Sequence, residues 1–241
     1  MSILKFLKKI FLPEVDEFIP STENEKKKTK VEFKELKEAW EAFKSEEFDK
    51  ARDISENYMN DNNAELKFEA EKIIALTYFR QGNYEKSTLE FNKLSLRSKN
   101  PDDWFNLVTS LTLDSKFLES EKAFKKAIEL YADFGNHDNI SIPNMRFYYM
   151  QALKDMKQYE RAYSQLEALS DFYTKLTITD STFLYMRGVP FLEHTVDSSK
   201  EILENINPSK SKKWISSLKN GIDEYGKEYL TEFENKLNYA S

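Results

Sequence analysis

A chain of 241 residues, 40% hydrophobic and 32% charged, is long enough to bury a core as one elongated domain or two small ones. It contains no cysteine and only two histidines, His137 and His194, which excludes disulfides, thiolate chemistry and metal sites built from cysteines or several histidines. The net charge of −6 argues against a nucleic-acid partner, because such binding depends on many lysines and arginines.

Glycine and proline are scarce, with five and six copies in the whole chain. Sheets, barrels and nucleotide-binding folds need more of the turns that these residues make. The composition therefore predicts helices joined by short polar turns, and an all-α fold.

The first predicted element is a basic amphipathic segment, residues 1–12. Wound as a helix, it places these apolar side chains on one face: Ile3, Phe6, Leu7, Ile10 and Phe11. Its lysines and the lack of a small-residue cleavage site fit neither a membrane span nor a secretory signal. We expect it to cover an exposed apolar end of the fold, and the alternative is contact with an anionic membrane surface. Together with a charged linker it makes up the first predicted region, residues 1–30.

A pattern then recurs four times between residues 33 and 170. Each copy has an aromatic residue after a polar break: Phe48, Tyr84, Phe117 and Tyr159, at spacings of 36, 33 and 42. A small residue follows three positions later: Ala51, Ser87, Ser120 and Ala162. Further residues seven and ten positions on share the same helix face, so each aromatic is predicted to begin the second helix of a hairpin. Gly82, in the break before Tyr84, is interpreted as a turn glycine rather than part of an active-site loop.

These units resemble the tetratricopeptide repeat (TPR) family, whose unit is a pair of antiparallel helices in about 34 residues. The third unit carries residues in the family's order: Trp104, Leu107, Phe124 and Ala127. The second carries "YFRQGNYEKS", close to the family's commonest turn. The chain departs from the family at Val108 and Met150, where a small residue is usual, and it mostly lacks the proline between units. The resemblance implies an α-solenoid of TPR-like helical hairpins, with four helix pairs in residues 31–170.

Residues 171–241 are predicted to form C-terminal helices that cap the stack. Phe183 to Gly188 would open a degenerate fifth pair after an irregular connection. Beyond Pro208, apolar and aromatic residues keep helical spacing: Trp214, Leu218, Ile222, Tyr225, Tyr229, Phe233 and Leu237. This spacing predicts one long capping helix.

Three stretches approach catalytic motifs, and we interpret each of them structurally. "GIDEYGKE", residues 221–228, lacks the Ser or Thr of a phosphate-binding loop and has no strand before it, so helix interior is predicted. The "DFG" that opens residues 133–144 lacks the other kinase motifs, and the stretch is interpreted as a long surface loop, with partner contact as the alternative. His194 and Asp197 have no accompanying nucleophile motif. We therefore expect no enzyme activity, no cofactor and no metal.

The resemblance also implies a concave groove, lined by the first helix of each unit, that receives a peptide or helix of another protein. The residues predicted to face it are Lys72, Ile73, Leu76 and Arg80 from the second unit, Phe105, Asn106 and Thr109 from the third, and Phe147, Tyr148 and Gln151 from the fourth. Phe105, Tyr148 and Arg80 are the predicted anchors. The alternative for Phe105 and Tyr148 is a place in the core between helices.

The protein is predicted to be a cytoplasmic scaffold or adaptor that binds another protein. Its role would be that of an adaptor, a chaperone or an immunity-type protein. One alternative is a membrane-peripheral scaffold held by residues 1–12. Another is a homo-oligomer that assembles through exposed repeat ends.

Overall fold

The computed structural model describes residues 33–237, and every regular element in this part of the chain is a helix. The all-α prediction is confirmed. The predicted N-terminal amphipathic segment and its linker, residues 1–30, lie outside the described residues.

Eight of the twelve α-helices between residues 33 and 237 form four consecutive hairpins. The hairpins are α1 (Lys37–Lys44) with α2 (Phe48–Glu56), α3 (Ala64–Arg80) with α4 (Tyr84–Ser95), α5 (Pro101–Leu113) with α6 (Phe117–Phe134), and α7 (Ile142–Asp155) with α8 (Tyr159–Leu176). A 3-10 turn, Lys34–Leu36, precedes α1. The two helices of every hairpin pack against each other.

The described part of the chain divides into two compact units, with the boundary between Ser98 and Lys99. The N-terminal unit holds the first two hairpins. The C-terminal unit holds the other two and the four helices that follow them.

All four hairpin turns use the same backbone conformation. The residue two positions before each aromatic is left-handed: Glu46 (φ 64°), Gly82 (φ 76°), Ser115 (φ 62°) and Lys157 (φ 56°). The next residue donates its N–H to a carbonyl near the end of the first helix, as Asn83 does to Tyr78 at 2.9 Å. This Schellman closure satisfies the last helical carbonyls and directs the aromatic into the second helix. Gly82 is thus a turn glycine, and the other three turns hold a side chain in a region that costs an L-residue about 1–2 kcal/mol.

The small residues of the repeat pattern lie about one turn inside the second helix of each hairpin. Ala51, Ser87, Ser120 and Ala162 are all fully buried. The residues seven positions after each aromatic are buried as well: Ser55, Phe91, Phe124 and Leu166. Val108 and Met150, which depart from the family pattern, are also completely buried, so the core accepts their larger side chains.

Four helices follow the hairpins: α9 (Ser181–Met186), α10 (Leu192–Asn205), α11 (Pro208–Gly221) and α12 (Glu224–Glu234). The short α9 lies where the fifth pair was predicted to open. α10 packs on α7, α8 and α12, and α11 packs on α8 and α12.

The prediction of one long capping helix is wrong, because the helix stops between α11 and α12. Ile222 is extended (φ −125°, ψ 172°), and the Asp223 side chain caps α12 by accepting the Gly226 N–H at 3.1 Å. At Gly221 a Cβ would lie 2.5 Å from the methyl carbon of Thr174, so the close approach of α11 to α8 requires glycine. Residues 221–228 are therefore a junction between two helices, and the prediction of a helix interior is wrong.

Candidate functional site

In the N-terminal unit, most of the predicted groove residues are packing residues. Ile73 and Leu76 are buried in the core. The Arg80 side chain is only 3% exposed and donates to Glu46 Oε1 at 3.1 Å. Its guanidinium also lies over two rings of the first hairpin, 5.5 Å from the centre of Phe43 and 5.7 Å from that of Phe48. Arg80 thus joins α3 to the first hairpin, and Lys72 alone of the four predicted residues is half-buried.

In the C-terminal unit, Phe105, Asn106, Thr109 and Phe147 are buried. The Phe105 ring centre lies 6.5 Å from that of Phe124 and 6.5 Å from that of Tyr148, as in a packed aromatic cluster. Phe105 therefore occupies a core position between helices, the alternative to a groove position for this residue.

Two predicted groove residues of this unit keep exposed surface. Tyr148 is half-buried, and burial raises the pKa of its hydroxyl. Gln151 is also half-buried and donates to Ser198 Oγ at 3.0 Å. Partner binding in the groove stays a prediction, and Lys72, Tyr148 and Gln151 are the residues of the set that a partner can reach directly.

A different surface carries most of the exposed apolar side chains. Nine large apolar residues are exposed within residues 33–237, and five of them lie on α9, on the connections before and after it, or on α12: Ile178 (44%), Tyr185 (71%), Met186 (70%), Phe191 (36%) and Tyr225 (55%). We call these five residues the α9 surface. The other four are Leu89, Leu96, Leu118 and Phe134, which lie on other helices.

Three segments meet at one junction beneath part of the α9 surface. A Cβ on Gly226 would lie 2.6 Å from Ile222 Cδ1, 2.9 Å from Thr179 Oγ1 and 3.1 Å from Leu192 Cδ2. Ile178, Phe191 and Tyr225 are the direct chain neighbours of Thr179, Leu192 and Gly226. The backbones of these three exposed residues therefore pass close to the same packed point.

Asp223 fixes the connection before α9 to the start of α12. It accepts the Thr179 N–H at 2.8 Å and the Thr179 hydroxyl at 2.5 Å, in addition to the Gly226 N–H. Partial burial alone would raise the pKa of Asp223, but these hydrogen bonds outweigh burial and hold the pKa below its usual value. The backbone beside Ile178 is thus held in one position.

Helix α9 is held at both ends, although it has only six residues. Asp180 caps its start by accepting the Phe183 N–H at 2.9 Å. After its end, the Gly188 carbonyl accepts hydrogen bonds from the Ser141 hydroxyl and, at 3.1 Å, from Asn144 Nδ2 of α7. Leu184 is completely buried, whereas Tyr185 and Met186 point to solvent.

Carboxylates border the α9 surface. The Tyr225 hydroxyl donates to Glu193 Oε1 at 2.6 Å, and the Tyr229 hydroxyl donates to Asp197 Oδ1 at 2.8 Å. The hydrogen bond to Glu193 raises the pKa of Tyr225, and the negative charges of Glu193, Asp180 and Asp223 raise it further. These carboxylates are therefore close enough to Tyr225 to act on its ionisation.

The sequence pattern did not single out the α9 surface. Residues 178–191 contain seven large apolar residues, and we assigned part of this stretch to a fifth helix pair. Of these seven, only Leu184 and Val189 are buried. The sequence did contain a signal for this surface. The stretch is rich in apolar residues, but it has several turn residues and its apolar residues hardly follow the helical period.

Within residues 33–237, no group of three or more acidic or histidine side chains is placed to hold a metal ion. Over the same residues, no helix combines the length and apolar character needed to cross a bilayer.

Comparisons with known proteins give no family for this chain. No protein-family model matches it. No curated protein matches it either. Among solved structures, it is similar to a Bacteroides ovatus protein provisionally described as protein-binding, with 16% sequence identity over 84% of this chain and 97% of that chain. The TM-score is 0.35, and at this level the likeness carries no argument about function.

Proposed function

We propose that the chain is a protein-interaction module and that the α9 surface contacts its partner. One observation carries the proposal: five of the nine exposed large apolar side chains within residues 33–237 lie on this surface. Scattered single apolar residues are normal on soluble proteins, but a concentration of them marks an interaction site. Tyr, Phe and Met are also the residue types enriched in the centres of protein interfaces.

The anchoring of the surface supports the proposal. Asp180, Asp223 and Gly188 hold α9 and the connections around it by hydrogen bonds to backbone and side-chain atoms. A surface that is already ordered loses little conformational entropy on binding, so more of the contact energy remains as affinity.

The TPR resemblance favours the same general function. If the chain functions like TPR proteins, the module is a cytoplasmic adaptor, chaperone or immunity-type protein without enzyme activity. The groove residues Tyr148 and Gln151 of the C-terminal unit would then form a second contact area. Liposome flotation tests the alternative of a membrane-peripheral scaffold. Light scattering tests the alternative of a homo-oligomer.

Affinity capture with the full chain tests the proposal. Three baits are compared by quantitative mass spectrometry: the unaltered chain, the Tyr185→Ser, Met186→Ser double variant, and Leu118→Ser. Leu118 is the matched control because it is 63% exposed on another helix of the same unit. We expect a partner that the unaltered chain and Leu118→Ser retain and the double variant loses.

Two results would contradict the proposal. Equal recovery of the partner by all three baits would place the contact elsewhere on the molecule. No protein enriched over empty beads, together with a single self-associated species in light scattering, would replace the proposed function by self-assembly.

A further inference from the structure

The α9 surface suits a helix better than an extended peptide that adds a strand to a sheet. Such a peptide pairs its backbone with a free sheet edge. Residues 33–237 contain no strand, so this edge is absent from the described part of the chain. A helix satisfies its own backbone hydrogen bonds and needs only side-chain contacts from the surface that it binds. Apolar side chains at positions i, i+3, i+4 and i+7 provide such contacts over about two turns.

The charge around the surface specifies the partner further. Asp180, Glu193, Asp197 and Asp223 are all close to Tyr225 or Tyr229. Within residues 33–237, the side chains of Glu193 and Asp197 accept hydrogen bonds from tyrosine hydroxyls and make no ion pair with a lysine or arginine. Their negative charge therefore remains available to a cationic partner.

The exposed apolar residue chosen as control has mixed surroundings. Leu118 of α6 lies beside charges of both signs, Glu119 and Glu121 as well as Lys122, and all three are exposed. A partner with a positive charge would thus be attracted to the α9 surface more than to Leu118.

We propose that the α9 surface binds a short amphipathic helix of a partner protein, in which lysines or arginines flank the apolar face. The apolar face would lie on Ile178, Tyr185, Met186, Phe191 and Tyr225, and the basic side chains would lie toward Glu193 and Asp197. This inference rests on the proposed function and specifies the class of partner.

The chain itself supplies a probe with this chemistry. Residues 1–12, MSILKFLKKIFL, combine an apolar helical face with Lys5, Lys8 and Lys9. A fluorescently labelled peptide of this sequence is titrated with the full chain, and binding is followed by fluorescence anisotropy. The control peptide replaces the three lysines by glutamate and keeps every apolar residue.

The proposal makes five expectations for this titration. The basic peptide binds the full chain, and the Tyr185→Ser, Met186→Ser double variant raises its Kd by about tenfold or more, because interface anchors of this kind dominate affinity. Leu118→Ser leaves the Kd unchanged. The glutamate peptide binds at least about tenfold more weakly, since it meets four carboxylates. Added salt weakens the binding of the basic peptide.

Three results would overturn the proposal. One is equal affinity for the double variant and Leu118→Ser, with both proteins shown to be folded by circular dichroism. Another is equal binding of the two peptides. The third is peptide binding that emerges only when Ile3→Asn and Leu7→Asn are introduced into the chain, since the surface would then belong to the chain's own N-terminal segment.

Failure of this inference is distinguishable from failure of the proposed function. If the peptide does not bind but the double variant still loses a captured protein, the α9 surface is an interaction site for a partner of another class. If both experiments fail, the proposed function fails as well.

Discussion

The hairpins and the segment at residues 178–191 use large apolar residues in opposite ways. In the hairpins the repeated positions are buried, as Phe91, Phe124 and Leu166 are. In the segment at 178–191, Tyr185 and Met186 are more exposed than buried although the backbone around them is firmly held. The difference separates two uses of apolar surface: substitutions in the hairpins should change stability, whereas substitutions on the α9 surface should change binding.

The largest expected effect comes from Phe105→Ala. Phe105 is buried against Phe124, so its truncation should lower the free energy of unfolding by about 3–5 kcal/mol. Tyr185→Ala should change it by less than about 0.5 kcal/mol, since an exposed side chain makes few contacts. Urea denaturation followed by circular dichroism measures both. Similar losses in the two variants would remove the distinction between the regions.

A buried tyrosine behind the α9 surface should produce the next largest effect. The Tyr173 hydroxyl donates to the Pro190 carbonyl at 2.8 Å and lies 2.7 Å from Thr195 Oγ1. Tyr173→Phe removes the hydrogen-bond partner of the buried Pro190 carbonyl and Thr195 hydroxyl. This loss should lower the free energy of unfolding by about 1–3 kcal/mol. Thermal unfolding at neutral pH measures the loss. An unchanged Tm would mean that the region relaxes to satisfy both groups.

Tyr173 also predicts a pH dependence. Burial raises its pKa above the ordinary tyrosine value of 10.0. The unfolded tyrosine therefore ionises first, so the stabilisation is complete below about pH 10 and is lost as pH rises toward the pKa of the folded state. We expect the Tm of the unaltered chain to fall above pH 10, and that of Tyr173→Phe to fall less steeply. Parallel curves for the two proteins would contradict this assignment.

The smallest expected effects concern the hairpin turns. A Cβ at Gly82 would contact nothing within 4 Å, so Gly82→Ala introduces no clash. It should lower the free energy of unfolding by about 1 kcal/mol, because alanine is strained in the left-handed conformation. Lys157→Gly should instead raise the free energy of unfolding by about 0.5–1 kcal/mol, because glycine adopts the left-handed backbone conformation without strain. The greater freedom of glycine in the unfolded chain offsets part of this gain. Chemical denaturation of both variants tests the shared turn. Changes of the same sign would show that the two turns are not equivalent.

The hairpins could be predicted from the sequence because spacing alone determines their helix starts. Phe48, Tyr84, Phe117 and Tyr159 are the first residues of α2, α4, α6 and α8. Which side chains face a partner could not be predicted in the same way. Phe105 and Phe147 are on first helices, as expected for groove residues, but the surrounding helices bury them.

The break before α12 shows a second limit of periodicity. Trp214, Leu218 and Ile222 are buried at helical spacing, and Tyr225 continues the same spacing. The extended backbone at Ile222 rotates the following helix, so that Tyr225 is exposed and belongs to the α9 surface. A periodic pattern that crosses a short break cannot reveal this rotation, and exposure depends on it.

Site-specific photo-crosslinking tests the central claim, that the α9 surface contacts a partner protein, most directly. p-Benzoylphenylalanine replaces Tyr185 on the α9 surface, Tyr148 in the predicted groove or Leu118 as the exposed control, and the full chains are irradiated in cells that contain the partner. Our account predicts one discrete protein adduct from the variant at position 185 and none from the variant at position 118. An adduct from position 148 without one from position 185 would contradict it and would assign the contact to the groove.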